Sequence, residues 1–213
     1  MVPYRRHLAF LEVPLRKHLF SYPVSRLLLT IFAACCMVAT GWAESAPSAP
    51  TAIPKVGDTA ADFTLDGLDA KSVKLSDLTS KGPVVLIVLR GWPGYQCPLC
   101  TRQVGDVLAH QKEIDTAGAK VVMVYPGPAE QLKAHAEEFF KDKTFSDTFR
   151  LLIDPDYKFT NAYGLRWDAA RETAYPSTFV IDRQNVIRFA KVSKTHGDRA
   201  SAADVVKALS ETK

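Results

Sequence analysis

The stretch VVLIVLRGWPGYQCPLC, residues 84–100, contains a strand, a loop and the start of a helix. Its first six residues form an unbroken apolar run rich in β-branched side chains, which is typical of a strand buried on both faces of a sheet. The following residues predict a loop, and a helix is expected to begin near Cys97 because Pro98 is well tolerated at a first helical position. Two thiols, Cys97 and Cys100, therefore lie at a predicted helix N-terminus.

The spacing of Cys97 and Cys100 suits a disulfide that closes and reopens. A helix N-terminus favours the thiolate, which is the form of cysteine that attacks peroxides and disulfides. A bond between them would close too short a loop to stabilise the fold much, and a disulfide scaffold would carry more cysteines at longer spacings. The pair therefore indicates redox chemistry or metal binding.

The rest of the chain alternates predicted strands and helices. After a hairpin at residues 61–75, the helix from Cys97 is expected to end at Gly118. Further strands are predicted at 121–125, 149–153, 177–182 and 186–192, and helices at 129–143, at 157–163 (short or irregular) and from Ser201. This order predicts an α/β domain with a mixed central β-sheet flanked by helices on both faces.

The first 43 residues read as a secretory signal, with a basic start, an uncharged apolar run from Leu27 to Trp42 and small residues before Glu44. An uncleaved anchor is the alternative, although the run is short for a span. Residues 44–54 form a Pro/Ala-rich linker, and residues 55–213 are long enough for one domain. We therefore expect a periplasmic or secreted protein.

The net charge of +4 belongs to the predicted leader. That segment holds five of the 27 Lys and Arg residues and one of the 23 Asp and Glu residues, so 22 of each remain. A nucleic-acid-binding domain usually shows a clustered basic excess. The balance of charges therefore gives no support for a nucleic-acid partner. The sequence does not predict an oligomeric state.

Four segments in this order resemble the redoxin and peroxiredoxin-like group, also called the alkyl hydroperoxide reductase / thiol-specific antioxidant family, of the thioredoxin superfamily. They are residues 55–65, 89–103, 152–156 with 163–165, and 175–182. The resemblance covers about residues 54–212. It implies a thioredoxin-like fold and an antioxidant thiol oxidoreductase that needs no cofactor. It further implies a peroxide or a protein disulfide as substrate and an external, thioredoxin-like dithiol donor.

The resemblance leaves open which sulfur attacks first. In the peroxiredoxin frame Pro-x-x-x-Thr-x-x-Cys, Pro93 takes the proline place, Cys97 the threonine place and Cys100 the attacking place. In the thioredoxin frame Cys97 attacks and Cys100 resolves. One proposed cycle serves both frames: one thiolate attacks, and the other thiol then closes the Cys97–Cys100 disulfide.

Three further residues are expected to support the site. Pro176 stands where peroxiredoxins usually carry an arginine, and the thioredoxin-like members of the superfamily suggest a cis bond there, facing the cysteines. Either Arg90 or Arg102 is expected to stabilise a thiolate. The alternative function is a copper metallochaperone that binds the metal through Cys97, Cys100 and His196.

Overall fold

A five-stranded mixed sheet forms the centre of the computed structural model, which describes residues 52–212. In chain order the elements are β1 (Thr64–Asp66), β2 (Ser72–Lys74), α1 (Leu75–Thr79), β3 (Val84–Val88), α2 (Pro98–Ala109), α3 (Gln111–Thr116), β4 (Lys120–Gly127), α4 (Leu132–Phe140), β5 (Phe149–Pro155), α5 (Lys158–Ala162), β6 (Ser177–Ile181), β7 (Ile187–Val192) and α6 (Ala202–Ser210). The predicted leader and most of the predicted linker lie outside the described residues. None of the described helices has the length and apolar character that crossing a bilayer requires.

The strand order of the central sheet is β5-β4-β3-β6-β7. β3 runs parallel to β4, and β4 parallel to β5, whereas β6 is antiparallel to both β3 and β7. β1 and β2 form a separate antiparallel hairpin. The predicted mixed α/β fold is confirmed, because helices pack on both faces of this sheet.

The two faces of the sheet carry different layers. Alternate residues of β3, such as Val85 and Ile87, pack against α2, α3, α4 and α6. The intervening residues, such as Leu86, pack with α1, α5 and the hairpin. Since every residue of β3 is fully buried, the unbroken apolar run is explained by contact on both sides.

Two helical segments differ from the expectation. The helix predicted to run from Cys97 to Gly118 is divided at His110, whose backbone leaves the helical region at φ −102° and ψ 14°. The sequence pattern also missed α1, which has only five residues and is too short to show a helical period. The carboxylate of Asp62 fixes its start by accepting bonds from the backbone N–H and the hydroxyl of Ser76, at 3.0 and 2.9 Å.

Candidate active site

The loop after β3 determines where the two cysteines lie. Gly91 has φ +67°, and a Cβ atom there would lie 1.9 Å from the carbonyl oxygen of Pro126, so the crossing requires glycine. Further along, the Gln96 side chain accepts a hydrogen bond from the Tyr125 hydroxyl (2.8 Å) and donates one to the carbonyl of His135 (2.9 Å). These contacts fasten the loop to β4 and α4 immediately before Cys97.

Cys97 caps the N-terminus of α2. Its sulfur accepts a hydrogen bond from the backbone N–H of Cys100 at 3.3 Å, and Pro98 occupies the first turn as predicted. Both cysteines are free thiols. Cys97 is 3% exposed and Cys100 is 0% exposed, so only Cys97 has a surface that a small oxidant can reach.

Arg199, in the segment between β7 and α6, faces both sulfurs. Its Nη2 lies 3.7 Å from the sulfur of Cys97 and its Nη1 lies 3.5 Å from that of Cys100. Two further bonds hold the guanidinium in place, because it donates to Oε1 of Gln103 (2.7 Å) and to the carbonyl of His196 (2.8 Å). A fixed positive charge therefore lies beside the thiol pair.

The pKa values of the two thiols are shifted in opposite directions. The pKa of Cys97 is lowered to about 5, chiefly by the hydrogen bond that the Cys100 thiol donates to it. The backbone N–H of Cys100 and the charges of Arg199 and Arg90 also lower this pKa, whereas burial raises it. Burial raises the pKa of Cys100 well above its ordinary value, and its bond to Cys97 adds to this. At neutral pH the pair is thus a Cys97 thiolate beside a protonated Cys100.

A network of ion pairs and hydrogen bonds around the buried Arg90 helps to hold this arrangement in place. Arg90, 3% exposed, donates through Nε to Oε2 of Glu172 (2.8 Å), through Nη1 to the Tyr95 hydroxyl and through Nη2 to the Arg171 carbonyl (2.7 Å). The other carboxylate oxygen of Glu172 lies 2.9 Å from Nε2 of His196. Since the His196 carbonyl holds Arg199, the network connects Arg90, two residues after β3, to the charge beside the sulfurs.

The copper hypothesis gains no support from these positions. His196 is engaged with Glu172 rather than turned to the cysteines. Across residues 52–212, no three His, Cys, Asp or Glu side chains are grouped so that they could hold a metal ion.

Pro176 is buried directly before β6, where Ser177 pairs with Val88 at the end of β3 that leads to the cysteines. The expected cis bond is wrong, because residues 52–212 contain no cis peptide. The N–H of Tyr175 donates to Leu165 at 2.8 Å, and the Pro176 carbonyl accepts from Ser193 at 2.9 Å. With both flanking groups bonded, the extended chain continues into β6 through a trans bond.

The other predicted residues take different positions. Pro93 lies half-buried in the bend of the loop before Cys97. Arg90 is buried in the ion network and acts on Cys97 only through its charge. Arg102 is exposed on α2 and forms no hydrogen bond with either sulfur. The guanidinium at the thiols belongs instead to Arg199, whose role no sequence pattern predicted.

Comparisons with known proteins identify the family of this chain. The family model described as "AhpC/TSA family" matches residues 56–190. The chain is 28% identical to Peroxiredoxin Bcp of Bacillus subtilis (strain 168) over 74% of this chain and 98% of that protein. It is 29% identical to Thiol-disulfide oxidoreductase ResA of Geobacillus thermodenitrificans (strain NG80-2), over 62% and 67% of the two chains. The crystal structure of Peroxidoxin BcpB from Mycobacterium tuberculosis superposes with a TM-score of 0.59 at 27% identity, over 75% of this chain and 98% of that one.

Proposed function

Because this chain belongs to the AhpC/TSA family of thiol-dependent oxidoreductases, we propose that it reduces a peroxide, with Cys97 as the attacking thiolate and Cys100 as the resolving thiol. The assignment of roles rests on the unequal stabilisation of negative charge on the two sulfurs. The cap position, the Cys100 hydrogen bonds and Arg199 all stabilise a thiolate on Cys97, while burial keeps Cys100 protonated. A thiolate attacks and a thiol does not.

The proposed cycle has two steps. The Cys97 thiolate attacks the terminal oxygen of the peroxide; an S–O bond forms, the O–O bond breaks, and the departing oxygen takes a proton from solvent. Cys100 then loses its proton and attacks the sulfur of the resulting sulfenic acid as a thiolate; an S–S bond forms, and the departing hydroxide takes up that proton and leaves as water. Two electrons have passed from the cysteine pair to the peroxide.

Arg199 supports peroxide as the substrate. Peroxiredoxins usually carry an arginine where this chain has Pro176, and Arg199 supplies a guanidinium at the sulfurs from a different segment. A fixed donor aimed at the place where charge develops stabilises the transition state without reorganisation. The small exposed area of Cys97 also favours a small oxidant over a folded protein.

Thiol–disulfide exchange is the second candidate. Attack by the first cysteine of a Cys-x-x-Cys pair is the order of events in the thioredoxin frame, and the chain resembles a relative named as a thiol-disulfide oxidoreductase. In either case an external dithiol donor, thioredoxin-like in kind, resets the Cys97–Cys100 disulfide.

We also propose that the protein works outside the cytoplasm, on the strength of the signal-like sequence of residues 1–43. The mass of the protein recovered from the native host is expected to correspond to a chain that begins at Glu44. A full-length chain in the soluble extracytoplasmic fraction would contradict cleavage at this position.

The assignment of roles is tested by alkylating the reduced protein with substoichiometric iodoacetamide across a pH series. The label is expected on Cys97, with a rate that rises through the Cys97 pKa of about 5 and is flat near neutrality. Peptide mapping by mass spectrometry identifies the labelled sulfur. Preferential labelling of Cys100, or a midpoint near the ordinary value of about 8.5, would refute the proposed roles.

The same titration tests Arg199 directly. Arg199→Gln is expected to move the midpoint upward by about one pH unit, because an adjacent opposite charge lowers a pKa by roughly 1–3 units. Arg199→Lys is expected to retain part of the shift. Arg183→Gln is the matched control, since Arg183 is exposed and its recorded hydrogen bond is a long one (3.5 Å) to Ser80.

A further inference from the structure

A cleft of about 280 Å³ lies beside the cysteine pair, between α2 and the segment that precedes α6. Eight residues line it: Leu99, Arg102, Gln103 and Asp106 from one face of α2, and Gly197, Arg199, Ala200 and Ser201 from the opposite side. Its volume is just below the range for drug-sized ligands, which begins at about 300 Å³, so only a small ligand would fit. The peroxide step described above does not use this space.

Arg199 is shared between the cleft and the sulfurs. It lines the cleft together with Gln103, to which it is hydrogen-bonded, and the same guanidinium reaches Cys97 and Cys100. A ligand held in the cleft therefore lies next to a group whose charge balance depends on the state of the thiols.

The remaining charges favour an anion. Within residues 52–212, Arg102 has neither an ion-pair nor a hydrogen-bond partner, so its charge is available to a ligand. Asp106 contributes one negative charge to the lining, but its carboxylate is held toward the start of α6, since it accepts a bond from the N–H of Ala202 at 2.7 Å. The two arginines therefore leave the lining with a net positive charge.

Oxidation changes this balance. In the reduced protein the thiolate of Cys97 offsets the charge of Arg199, whereas a disulfide carries no charge. Forming the Cys97–Cys100 bond thus removes one negative charge and leaves the charge of Arg199 beside the cleft without its counter-ion. This happens at the stage of the cycle when a reductant has to bind. Attraction over a few ångströms is worth several-fold in binding even where water screens it.

We propose that this cleft binds a carboxylate carried next to the thiol of the electron donor, through Arg102 and Arg199, and that it does so when the cysteine pair is oxidised. The inference rests on the proposed function and names the chemistry of the donor. The donor thiolate attacks one sulfur of the disulfide, forms a mixed disulfide and releases the other cysteine as a thiolate. A second donor thiol attacks the mixed disulfide and the donor leaves as a disulfide. Two electrons have then passed to the cysteine pair; Cys100 takes up one proton, Cys97 remains a thiolate, and the other donor proton goes to solvent.

The test measures how fast the oxidised protein is reduced by three small thiols of different charge. These are 3-mercaptopropionate, 2-mercaptoethanol and cysteamine, compared at equal thiolate concentration, with the remaining disulfide quantified by acid quench and mass spectrometry. The anionic thiol is expected to react about five-fold faster than the cationic one, and added salt should reduce the ratio. Arg102→Gln is expected to remove most of this preference, and Arg183→Gln is expected to keep it.

A free carboxylated thiol and an acidic side chain of a thioredoxin-like protein present the same group. If Arg102→Gln slows reduction by 3-mercaptopropionate but not by a thioredoxin-like dithiol protein, the group belongs to a free thiol. If it slows both, the group is also presented by a protein donor. Equal rates for all three small thiols would overturn the cleft assignment, whereas failure of peroxide to produce the disulfide would overturn the proposed function itself.

Discussion

Cys97→Ser is expected to abolish peroxide turnover, with a loss of about 10³-fold or more, because loss of a nucleophile removes the covalent step and leaves only binding effects. The serine hydroxyl does not ionise near neutral pH, so Arg199 would have no anion to stabilise. Consumption of hydrogen peroxide is measured by rapid mixing with the reduced protein. Less than one equivalent of peroxide per chain should disappear on the timescale of the wild-type reaction.

Cys100→Ser is the matched variant, and its behaviour should differ in kind. It is expected to consume one equivalent of peroxide per chain and then stop, because the sulfenic acid on Cys97 has no resolving partner. Mass spectrometry should find one added oxygen on the peptide that contains Cys97. The reverse pattern, with stoichiometric consumption by Cys97→Ser and none by Cys100→Ser, would assign the attack to Cys100 as in the peroxiredoxin frame.

Arg90→Met is expected to lower the free energy of unfolding by about 3–5 kcal/mol, since removing one partner of a buried pair leaves the other charge without compensation. Arg90 is 3% exposed and Glu172 is 11% exposed, so water can replace the lost bonds only in part, while His196 stays beside the other carboxylate oxygen of Glu172. Urea unfolding of the reduced protein at neutral pH measures the change. The alkylation midpoint of Cys97 should also rise, because Glu172 positions His196 and, through its carbonyl, Arg199.

The effect of Arg90→Met should depend on pH in a defined direction. Burial opposes ionisation of Glu172, but its bonds to Arg90 and His196 prevail and hold its pKa below the ordinary value. The pair therefore contributes fully above the unfolded pKa of about 4.3 and loses its contribution as the pH falls through the folded one. Arg183→Met, at an exposed arginine, is the control and should change stability by no more than about 0.5 kcal/mol. Equal changes in the two variants would show that the buried network does not stabilise the fold.

The strands of the central sheet and the position of the cysteine pair at the start of a helix could be predicted from the sequence. The continuous apolar run from Val84 to Leu89 has one physical solution, a strand covered on both faces, and Pro98 marks the beginning of α2. The capping box of Ser201 and Asp204 likewise marks the beginning of α6. These signals are local, which is why they can be recognised without the fold.

The arginine at the sulfurs could not be identified in the same way. Arg199 is 99 positions from Cys100, and nothing in the residues around it distinguishes it from a solvated surface arginine. A weak topological signal existed, because the segment after β7 emerges next to the end of β6 that pairs with the end of β3. The order of attack was likewise ambiguous in the sequence, since it depends on burial and on the charges that the fold brings together.

The ionised sulfur of Cys97 also governs how strongly the cysteine pair draws electrons. The charge that Arg199 and the helix cap stabilise exists only in the reduced protein, so they raise the reduction potential of the couple above that of an unperturbed dithiol. Between the two thiol pKa values each electron pair enters with one proton, and the potential falls by about 30 mV per pH unit. In acid below the Cys97 pKa, two protons enter and the slope doubles to about 59 mV. A donor dithiol with ordinary pKa values has this steeper slope from neutrality downward, so a fall in pH toward the Cys97 pKa makes the protein a weaker oxidant of its donor.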